Sequence, residues 1–399
     1  MSRLEAREVV VVGGGPAGSA ASLLLRRLGH DVLLLDAARF PRDKVCGESV
    51  SPAAWPLLTE LGVTPALNEL EPHTIRGMRV VSPDGTHFTG RYPDSEHPGF
   101  ALRRTVFDAL LLNAARQAGV EVREGVRVGA PWLEAGRVVG VLCEGPVPSR
   151  VAAGLVIAAD GRASRLAHAL GLLRADRRLR KFAVRGHWSG VEGLEELGEM
   201  HVVRGGYCGV APLAASEANV AFVLDRTALG SAAGDLPGFY SDSIRRRWPA
   251  LAERLARARL QAPPRVVGPL AVMAPRPWYP GLLLVGDSAG FLDPFTGEGI
   301  TLALKTAKLA ALAAHRALAA GSTADLSDYA RARDLATRDK YRLNRLLLEL
   351  IAWPALANLA AHRLARHPEL ADQLVCIAGD FLSPRSALRA SFWWRLLAR

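Results

Sequence analysis

Three short groups of glycines and acids carry residue types and spacings that could hold a phosphorylated ligand. In chain order they are Gly13-Gly14-Gly15-Pro16-Ala17-Gly18; Asp160-Gly161; and Gly286-Asp287 with Pro294 and Gly297-Glu298-Gly299. Each group alone is a loose pattern. Asp160 could belong to an ordinary strand-end turn, and Asp287 could cap the N-terminus of a helix. Together and in this order, the three groups predict a groove for one long anionic dinucleotide.

The elements around the first group agree with a dinucleotide site. Residues 8–12 are a β-branched apolar run typical of a buried parallel strand, residues 17–28 have helical periodicity, and a second apolar run at 31–35 ends at Asp36. Asp36 follows Gly13 by 23 residues, close to the roughly 20 expected when a carboxylate binds an adenosine ribose. The glycines allow a tight turn, and the helix N-terminus presents partial positive charge to a pyrophosphate.

Charge and cysteine usage exclude several function classes. The 399 residues include 50 basic and 39 acidic side chains, for a net charge of +11, but the basic residues are spread along the chain. No basic–aromatic RNA-binding module is present, so we predict no nucleic-acid partner. Four scattered cysteines without metal-ligand spacing predict no metal site and a reduced, cytoplasmic location. The chain begins directly in the first apolar strand and has no apolar run of about 20 residues, so neither a signal peptide nor a membrane-spanning helix is expected.

Changes of periodicity predict an α/β fold: a Rossmann-like domain with a mostly parallel sheet, an antiparallel-sheet substrate domain, and C-terminal helices. Residues 77–90 alternate as a hairpin, residues 52–61, 104–119 and 299–320 are predicted helices, and prolines interrupt the helical C-terminal region at 354, 368 and 384. The predicted segments are 1–73, 101–180 and 266–325 for the dinucleotide domain, 74–100 (hairpin) and 181–265 (antiparallel sheet) for the substrate domain, and 326–399 for the C-terminal helices.

The assembled motifs resemble the FAD-dependent aromatic hydroxylase superfamily (group A flavoprotein monooxygenases), in the branch of geranylgeranyl reductases and flavin halogenases. The resemblance covers nearly the whole chain. It implies FAD as cofactor and NAD(P)H as reductant, which would bind in a transient groove because no second nucleotide domain is visible. An external reductase is the alternative. The cofactor-binding residues that it implies are Gly13, Gly15, Pro16, Ala17, Gly18, Asp36, Arg42, Lys44, Cys46, Gly47, Arg104, Asp160, Gly161, Gly286, Asp287, Pro294, Gly297, Glu298, Gly299 and Ile300.

Two further stretches strengthen the resemblance. Residues 44–47 read Lys-Val-Cys-Gly, similar to a flavin-side loop of geranylgeranyl reductases and of hydroxylases of lipid-like phenols. Gly47 would permit close approach of the backbone to the flavin, whereas Cys46 is either a chemically active thiol or a small buried apolar residue. Arg104 with Phe107 and Asp108 matches the Arg-x-x-Phe-Asp pattern of the family.

Three reactions occur on this scaffold: hydroxylation with oxygen, halogenation, and reduction of prenyl double bonds. Halogenases of the family use a substrate-domain lysine and a Trp-x-Trp-x-Ile-Pro signature. This chain has no lysine between Lys44 and Lys181 and lacks the signature, so we do not expect a halogenase.

The stretch at 207–212 bears on the other two reactions. Prenyl reductases of the family carry Tyr-x-Trp-x-Phe-Pro over the flavin. This chain keeps Tyr207 and Pro212 but has Gly209 and Ala211 in place of the two large residues. The change predicts open space for a bulky aromatic substrate, unless the stretch is simply a strand with a bulge at Gly209.

We therefore expect an FAD-dependent monooxygenase that hydroxylates a hydrophobic aromatic substrate (a phenol, quinone-like or polyketide-type compound) with NAD(P)H and O2 in secondary metabolism. The alternative is a geranylgeranyl reductase-like enzyme; a halogenase or a flavin-binding protein without turnover is less favoured. A phenolic substrate needs a general base. His187 and His201 are candidates, although either could be an ordinary strand residue. With Cys46 and Tyr207 they form the set of candidate catalytic residues.

Residues 391–397 combine aromatic, leucine and arginine side chains at the end of the chain. Such a segment either closes the core or covers a substrate channel, or it contacts a membrane surface. Each alternative suits a hydrophobic small-molecule partner. The sequence leaves the oligomeric state open.

Overall fold

The computed structural model describes residues 5–93, 96–145, 149–176, 181–229, 234–387 and 389–397. The predicted segment boundary at residue 180 and the chain ends at 1–4 and 398–399 lie outside these ranges. The strands are β1 Glu5–Val12, β2 Val32–Asp36, β3 Ser49–Val50, β4 His73–Ile75, β5 Gly77–Val81, β6 His87–Arg91, β7 Gly99–Ala101, β8 Glu121–Glu124, β9 Arg127–Glu134, β10 Arg137–Glu144, β11 Ser149–Ala158, β12 Arg174–Ala175, β13 Lys181–Ser189, β14 Gly198–Val203, β15 Gly206–Ala214, β16 Glu217–Asp225, β17 Arg259–Leu260, β18 Arg265–Val267, β19 Val272–Met273, β20 Trp278–Tyr279, β21 Leu282–Leu284 and β22 Gly290–Phe291. The helices are α1 Pro16–Arg27, α2 Trp55–Glu60, α3 Thr64–Glu69, α4 Arg104–Gln117, α5 Arg165–Ala169, α6 Arg226–Leu229, α7 Leu236–Arg247, α8 Pro249–Leu255, α9 Gly299–Ala319, α10 Ser327–Ala352, α11 Pro354–Arg366, α12 Pro368–Ala378 and α13 Ala390–Leu397.

A mostly parallel sheet positions the glycine loop and the two acidic turns. Its path runs β20-β21-β11-β1-β2-β8, and the pairings from β21 to β8 are parallel. Val9 and Val11 of β1 pack into one apolar core, whereas Val10 and Val12 pack into a second core on the opposite face. Because both faces are covered, the strand is a continuous apolar run rather than an alternating one. The predicted Rossmann-like domain is confirmed.

A second sheet is built from the hairpin β5–β6 and the later strands, in the order β17-β13-β16-β15-β14-β5-β6. Its pairings are antiparallel except for β14 with β5, which are parallel. The bulge considered at Gly209 is absent: Gly209 pairs in register with Ala221, and the shift lies between Pro212 and Ala214. No close backbone contact requires a glycine there, since an added Cβ would meet nothing nearer than 3.8 Å.

The C-terminal region consists of helices, and two of them begin at prolines where an interruption was predicted. Pro354 and Pro368 are the first residues of α11 and α12, where a missing N–H and a fixed φ are favourable. The predicted helix at 52–61 is divided into a 3₁₀ turn at Pro52–Ala54 and α2. Pro56 lacks the N–H that a continuous helix would donate to Pro52. Among the helices described, none is both long and apolar enough to cross a membrane.

Candidate active site

The glycine loop between β1 and α1 is held by contacts that only glycine allows. Gly13 has φ +105°, and a Cβ there would lie 2.4 Å from the carbonyl oxygen of Ala159. A Cβ on Gly18 would lie 1.8 Å from the carbonyl oxygen of Gly13. The carboxylate of Asp36 accepts a hydrogen bond from the backbone N–H of Gly14 at 2.6 Å. The loop therefore packs tightly against β11 and is fixed by the acid at the end of β2.

Asp160 and Gly161 follow the end of β11 and face the same loop. One carboxylate oxygen of Asp160 accepts from the backbone N–H of Arg165 at 2.9 Å. The other is buried and has no hydrogen-bond partner among the described residues, and burial raises the pKa of this carboxyl group. Asp160 thus serves as the turn residue considered from the sequence, but it retains an acceptor for a ligand.

Asp287 lies in a 3₁₀ turn at Gly286–Ser288 and is not the N-cap of α9, since Glu298 occupies that position. In the described part of the chain, no hydrogen bond to its carboxylate is formed. Burial lowers the pKa of the Lys44 amine, and the negative charge of Asp287 opposes that effect. The carboxylate of Asp287 is therefore available for a polar ligand beside the half-buried Lys44.

The turn that precedes α9 is anchored to the second sheet. The side chain of Asp293 accepts from the N–H of Phe295 at 3.0 Å, and the Tyr207 hydroxyl donates to the same carboxylate. Lys181 Nζ lies 3.8 Å from Asp293 Oδ2 and 5.9 Å from the centre of the Tyr207 ring. Burial raises the pKa values of Tyr207 and Asp293. Tyr207 therefore remains a neutral phenol at neutral pH.

Glu298 joins the same turn to the C-terminal helices. Its carboxylate accepts from Lys340 of α10, whose amine also lies 2.5 Å from Asp380. Lys305 of α9 contacts the other oxygen of Asp380 at 2.5 Å. Burial raises the pKa of Glu298 to about 8, although Lys340 opposes the change. These four side chains fix the start of α9 relative to α10 and the end of α12.

Glu48 holds the 44–48 loop at the junction of the two sheets. It is buried, with the unusual φ of +63° for a residue other than glycine. Its carboxylate accepts from the backbone N–H of Arg104 at 2.8 Å, from His187 Nε2 at 2.6 Å and from Asn219 Nδ2 at 2.9 Å. Asn219 also donates to the carbonyl of Cys46 at 2.8 Å. The 44–48 loop, α4, β13 and β16 therefore meet at one carboxylate.

Arg104 and Arg42 share a second buried carboxylate. Arg104 makes two bonds to Asp108, at 2.6 and 2.7 Å, and Arg42 lies 2.9 Å from the same group. The Arg-x-x-Phe-Asp pattern thus forms an ion pair within one helical turn of α4, with both partners buried.

One cavity of about 500 Å³ joins these elements. Predicted site residues line it in four stretches of chain and at three single positions: Gly15, Pro16, Ala17, Lys44, Cys46, Gly47, Arg104, Asp160, Gly161, Tyr207, Asp287, Pro294, Gly297, Gly299 and Ile300. Beyond them, the lining passes over the second sheet through Gly209 and Ala211 and reaches α10, α11, α12 and α13. The cavity is thus polar near the glycine loop and apolar along the C-terminal helices.

The remaining predicted cofactor-binding residues lie outside the lining of the cavity. Gly13, Gly18, Asp36, Arg42, Gly286 and Glu298 support the loops and do not line the cavity. Nor do the two candidate bases: His187 bonds to Glu48, and His201 donates to Glu199 at 2.8 Å. Of the four candidate catalytic residues, the structure brings Cys46 and Tyr207 to the cavity.

Sequence reasoning missed several residues of the site. Glu48 and Asp293 lay inside recognised stretches but had no assigned role, because the side chains of His187 and Tyr207 that bond to them are more than 80 residues away in the chain. The wall from α11 was also missed. Ala357, Ala360, Ala361 and Leu364 follow i, i+3, i+4, i+7 spacing, which is the signal that could have revealed a buried helix face.

Comparison with known proteins identifies the family. A family described as "FAD binding domain" matches residues 6–340 of the chain. The chain belongs to this family. FAD is thus its cofactor, and the protein is an FAD-dependent oxidoreductase.

Relatives within and around this family carry different activities. The menaquinone reductase of Mycolicibacterium smegmatis is 29% identical, and the match covers 97% of this chain and 95% of the relative. Digeranylgeranylglycerophospholipid reductase 1 of Methanopyrus kandleri is 32% identical over 86% of this chain and 90% of its own. The solved structure of a flavin-dependent brominase superposes with a TM-score of 0.84 at 20% identity, covering 96% and 98% of the two chains. At that identity the likeness shows the fold alone.

The residues present fit FAD. Among the described residues, Asp160 Oδ1 is a buried acceptor without a partner and the carboxylate of Asp287, which lines the cavity, receives no hydrogen bond. An added Cβ on Gly15 would meet only the Arg42 side chain, at 3.4 Å, so the loop is open towards the cavity. The loop and Asp36 would hold the ADP half, Asp287 the ribityl hydroxyls, and the 294–300 turn the flavin ring.

Proposed function

We propose that this protein is an FAD-dependent reductase that saturates carbon–carbon double bonds in the isoprenoid chain of a lipid, such as a prenylated quinone or glycerolipid. The observation that carries the proposal is the continuation of the FAD cavity into an apolar chamber lined by the C-terminal helices. A long hydrocarbon gains free energy of transfer there, at about 25 cal/mol per Å² of apolar surface buried.

The names of the relatives support this proposal. Two reductases at 29 and 32% identity, a menaquinone reductase and a digeranylgeranylglycerophospholipid reductase, match most of the chain. Bound and reduced FAD supplies a hydride. The protein's own contribution is to bind and orient the chain, to exclude water with apolar walls, and to keep Tyr207 protonated beside Asp293 at the cavity wall.

Aromatic hydroxylation, the first expectation from the sequence, is the second candidate. Gly209 and Ala211 line the cavity, and a Cβ on Gly209 would have no neighbour closer than 3.8 Å. The strand therefore leaves room for an aromatic substrate at the position where prenyl reductases carry a tryptophan.

One experiment separates the two reactions. FAD-loaded protein is reduced with dithionite without oxygen and incubated with menaquinone bearing an unsaturated prenyl chain, and the products are analysed by mass spectrometry. The proposal expects addition of two hydrogens for each double bond reduced, with FAD-free protein as the control. A parallel sample receives NADPH, air and a phenolic probe. Incorporation of one oxygen atom there, with no gain of hydrogens in the first sample, would replace reduction by hydroxylation.

A further inference from the structure

Three alanines and one leucine form the wall of the chamber on α11. Ala357, Ala360, Ala361 and Leu364 are buried and line the cavity. Their spacing places them on one face of the helix. The adjacent hairpin turn offers no free polar group from Ser82, because its hydroxyl bonds to the carbonyl of Thr86 at 2.8 Å. The α11 face of the cavity therefore suits a hydrocarbon.

Helix α13 separates the chamber from solvent. Leu396 is 1% exposed and lines the cavity, whereas Trp394, two residues earlier on the same helix, is 75% exposed. Phe392 is buried in the cluster that also contains Leu396 and Ala360, but it does not line the cavity. Among the described side chains of α13, Leu396 is the one that lines the cavity.

We propose that Leu396 and Ala360 form the end stop of the isoprenoid site and set the longest chain that the protein accepts. The inference rests on the proposed function, because it assumes that a prenyl chain occupies the chamber. A chain that enters from the FAD side extends along the apolar faces of α10 and α11 until its terminal methyl groups meet these two residues. Chains beyond that length lose affinity, since the excess would have to displace a packed side chain.

Binding, measured apart from reduction, tests this stop. FAD-loaded full-length protein is titrated with prenyl alcohols of two to six isoprene units by calorimetry. In the unaltered protein, affinity is expected to rise with each unit and then fall at a limiting length. Leu396→Ala is expected to move the limit to a longer alcohol, by at least one tested unit. Ala360→Leu is expected to move it to a shorter one, with at least tenfold weaker binding at the former limit. The matched control Trp394→Ala, on the outer face of the same helix, is expected to leave the limit unchanged.

Three results would overturn the end stop: no binding at any length, the same limit in all four proteins, or an equal shift in Trp394→Ala and Leu396→Ala. If Leu396→Ala fails to fold, the test rests on Ala360→Leu, which must still shorten the limiting length. Leu396→Met, which keeps the side-chain volume, then serves as the folded variant at position 396. Failure of the proposed function is visible separately. A length limit that moves as expected in a protein that reduces no double bond would support the stop and refute the reductase.

Discussion

Replacement of Glu48 by alanine tests whether one buried carboxylate holds the cofactor-side loop in place. The side chain is buried and accepts hydrogen bonds from Arg104 N, His187 Nε2 and Asn219 Nδ2. Its loss leaves the N–H of Arg104 and the His187 ring without this acceptor. Removal of one partner from a buried charged network costs about 3–5 kcal/mol, and each stranded donor about 1–3 kcal/mol. We expect Glu48→Ala to lower the free energy of unfolding by about 4 kcal/mol.

The assay is urea denaturation of the FAD-loaded protein, combined with the rate at which Cys46 reacts with a thiol reagent. Cys46 is half-buried, the other three cysteines are buried, and the backbone N–H of Glu48 lies 3.3 Å from its sulfur. A loosened loop should therefore react faster at Cys46. Glu60→Ala is the matched control, because Glu60 pairs with Lys308 at the surface, at 2.6 Å, and such pairs contribute at most about 1 kcal/mol. Equal unfolding free energies and equal labelling rates for the two variants would refute the role assigned to Glu48.

Three further outcomes follow from the geometry. Burial would raise the pKa of Glu199, but His201 and Arg254 outweigh burial and lower the pKa from 4.5 to about 2. The ionised carboxylate therefore stabilises the fold fully above pH 4.5, and about 3 kcal/mol of this stability is lost as the pH falls towards 2. In urea titrations at a series of pH values, Glu199→Gln should remove this pH-dependent loss. Gly209→Trp should fold normally and, in calorimetry, lose binding of bulky phenols while retaining prenyl alcohols; unchanged phenol binding would show that the space above this strand is not used. Gly18→Ala, whose Cβ would lie 1.8 Å from a backbone oxygen, should purify without FAD, as read from its absorbance.

Local sequence was sufficient to predict the features that depend on the backbone geometry of residues close together in the chain. The glycines at 13 and 18 must be glycine because backbone atoms occupy the space of a side chain, and a short apolar run before them predicts the buried strand. Prolines at 354 and 368 predicted interruptions of the helical C-terminal region, and the structure has α11 and α12 begin at them. The same local reasoning did not predict the break at Pro52–Ala54, although Pro56 carried the signal.

The reaction was harder to predict from the sequence, because the expectation of hydroxylation rested on two small residues at 209 and 211. Those positions do line the cavity, yet they report on one wall. The apolar chamber, in which we propose that a prenyl chain lies, is lined by residues of α11 and α13. Its residues lie more than 140 positions further along the chain, and no local pattern connects the two walls.

By itself, the sequence determined a dinucleotide groove and the fold class, since both follow from turns and strand ends whose requirements are local. FAD as the cofactor was implied by the resemblance of the assembled motifs to a family. Tertiary structure decided which acids are satisfied and which remain available. Asp36 and Glu48 are bonded within the protein, whereas no hydrogen bond from the described residues reaches the carboxylate of Asp287 or one oxygen of Asp160. It also decided that His187 and His201 lie outside the cavity and that Leu396 lines it. The physical reason is that burial and hydrogen-bond partners depend on segments brought together by packing, and these contacts have no fixed spacing along the chain.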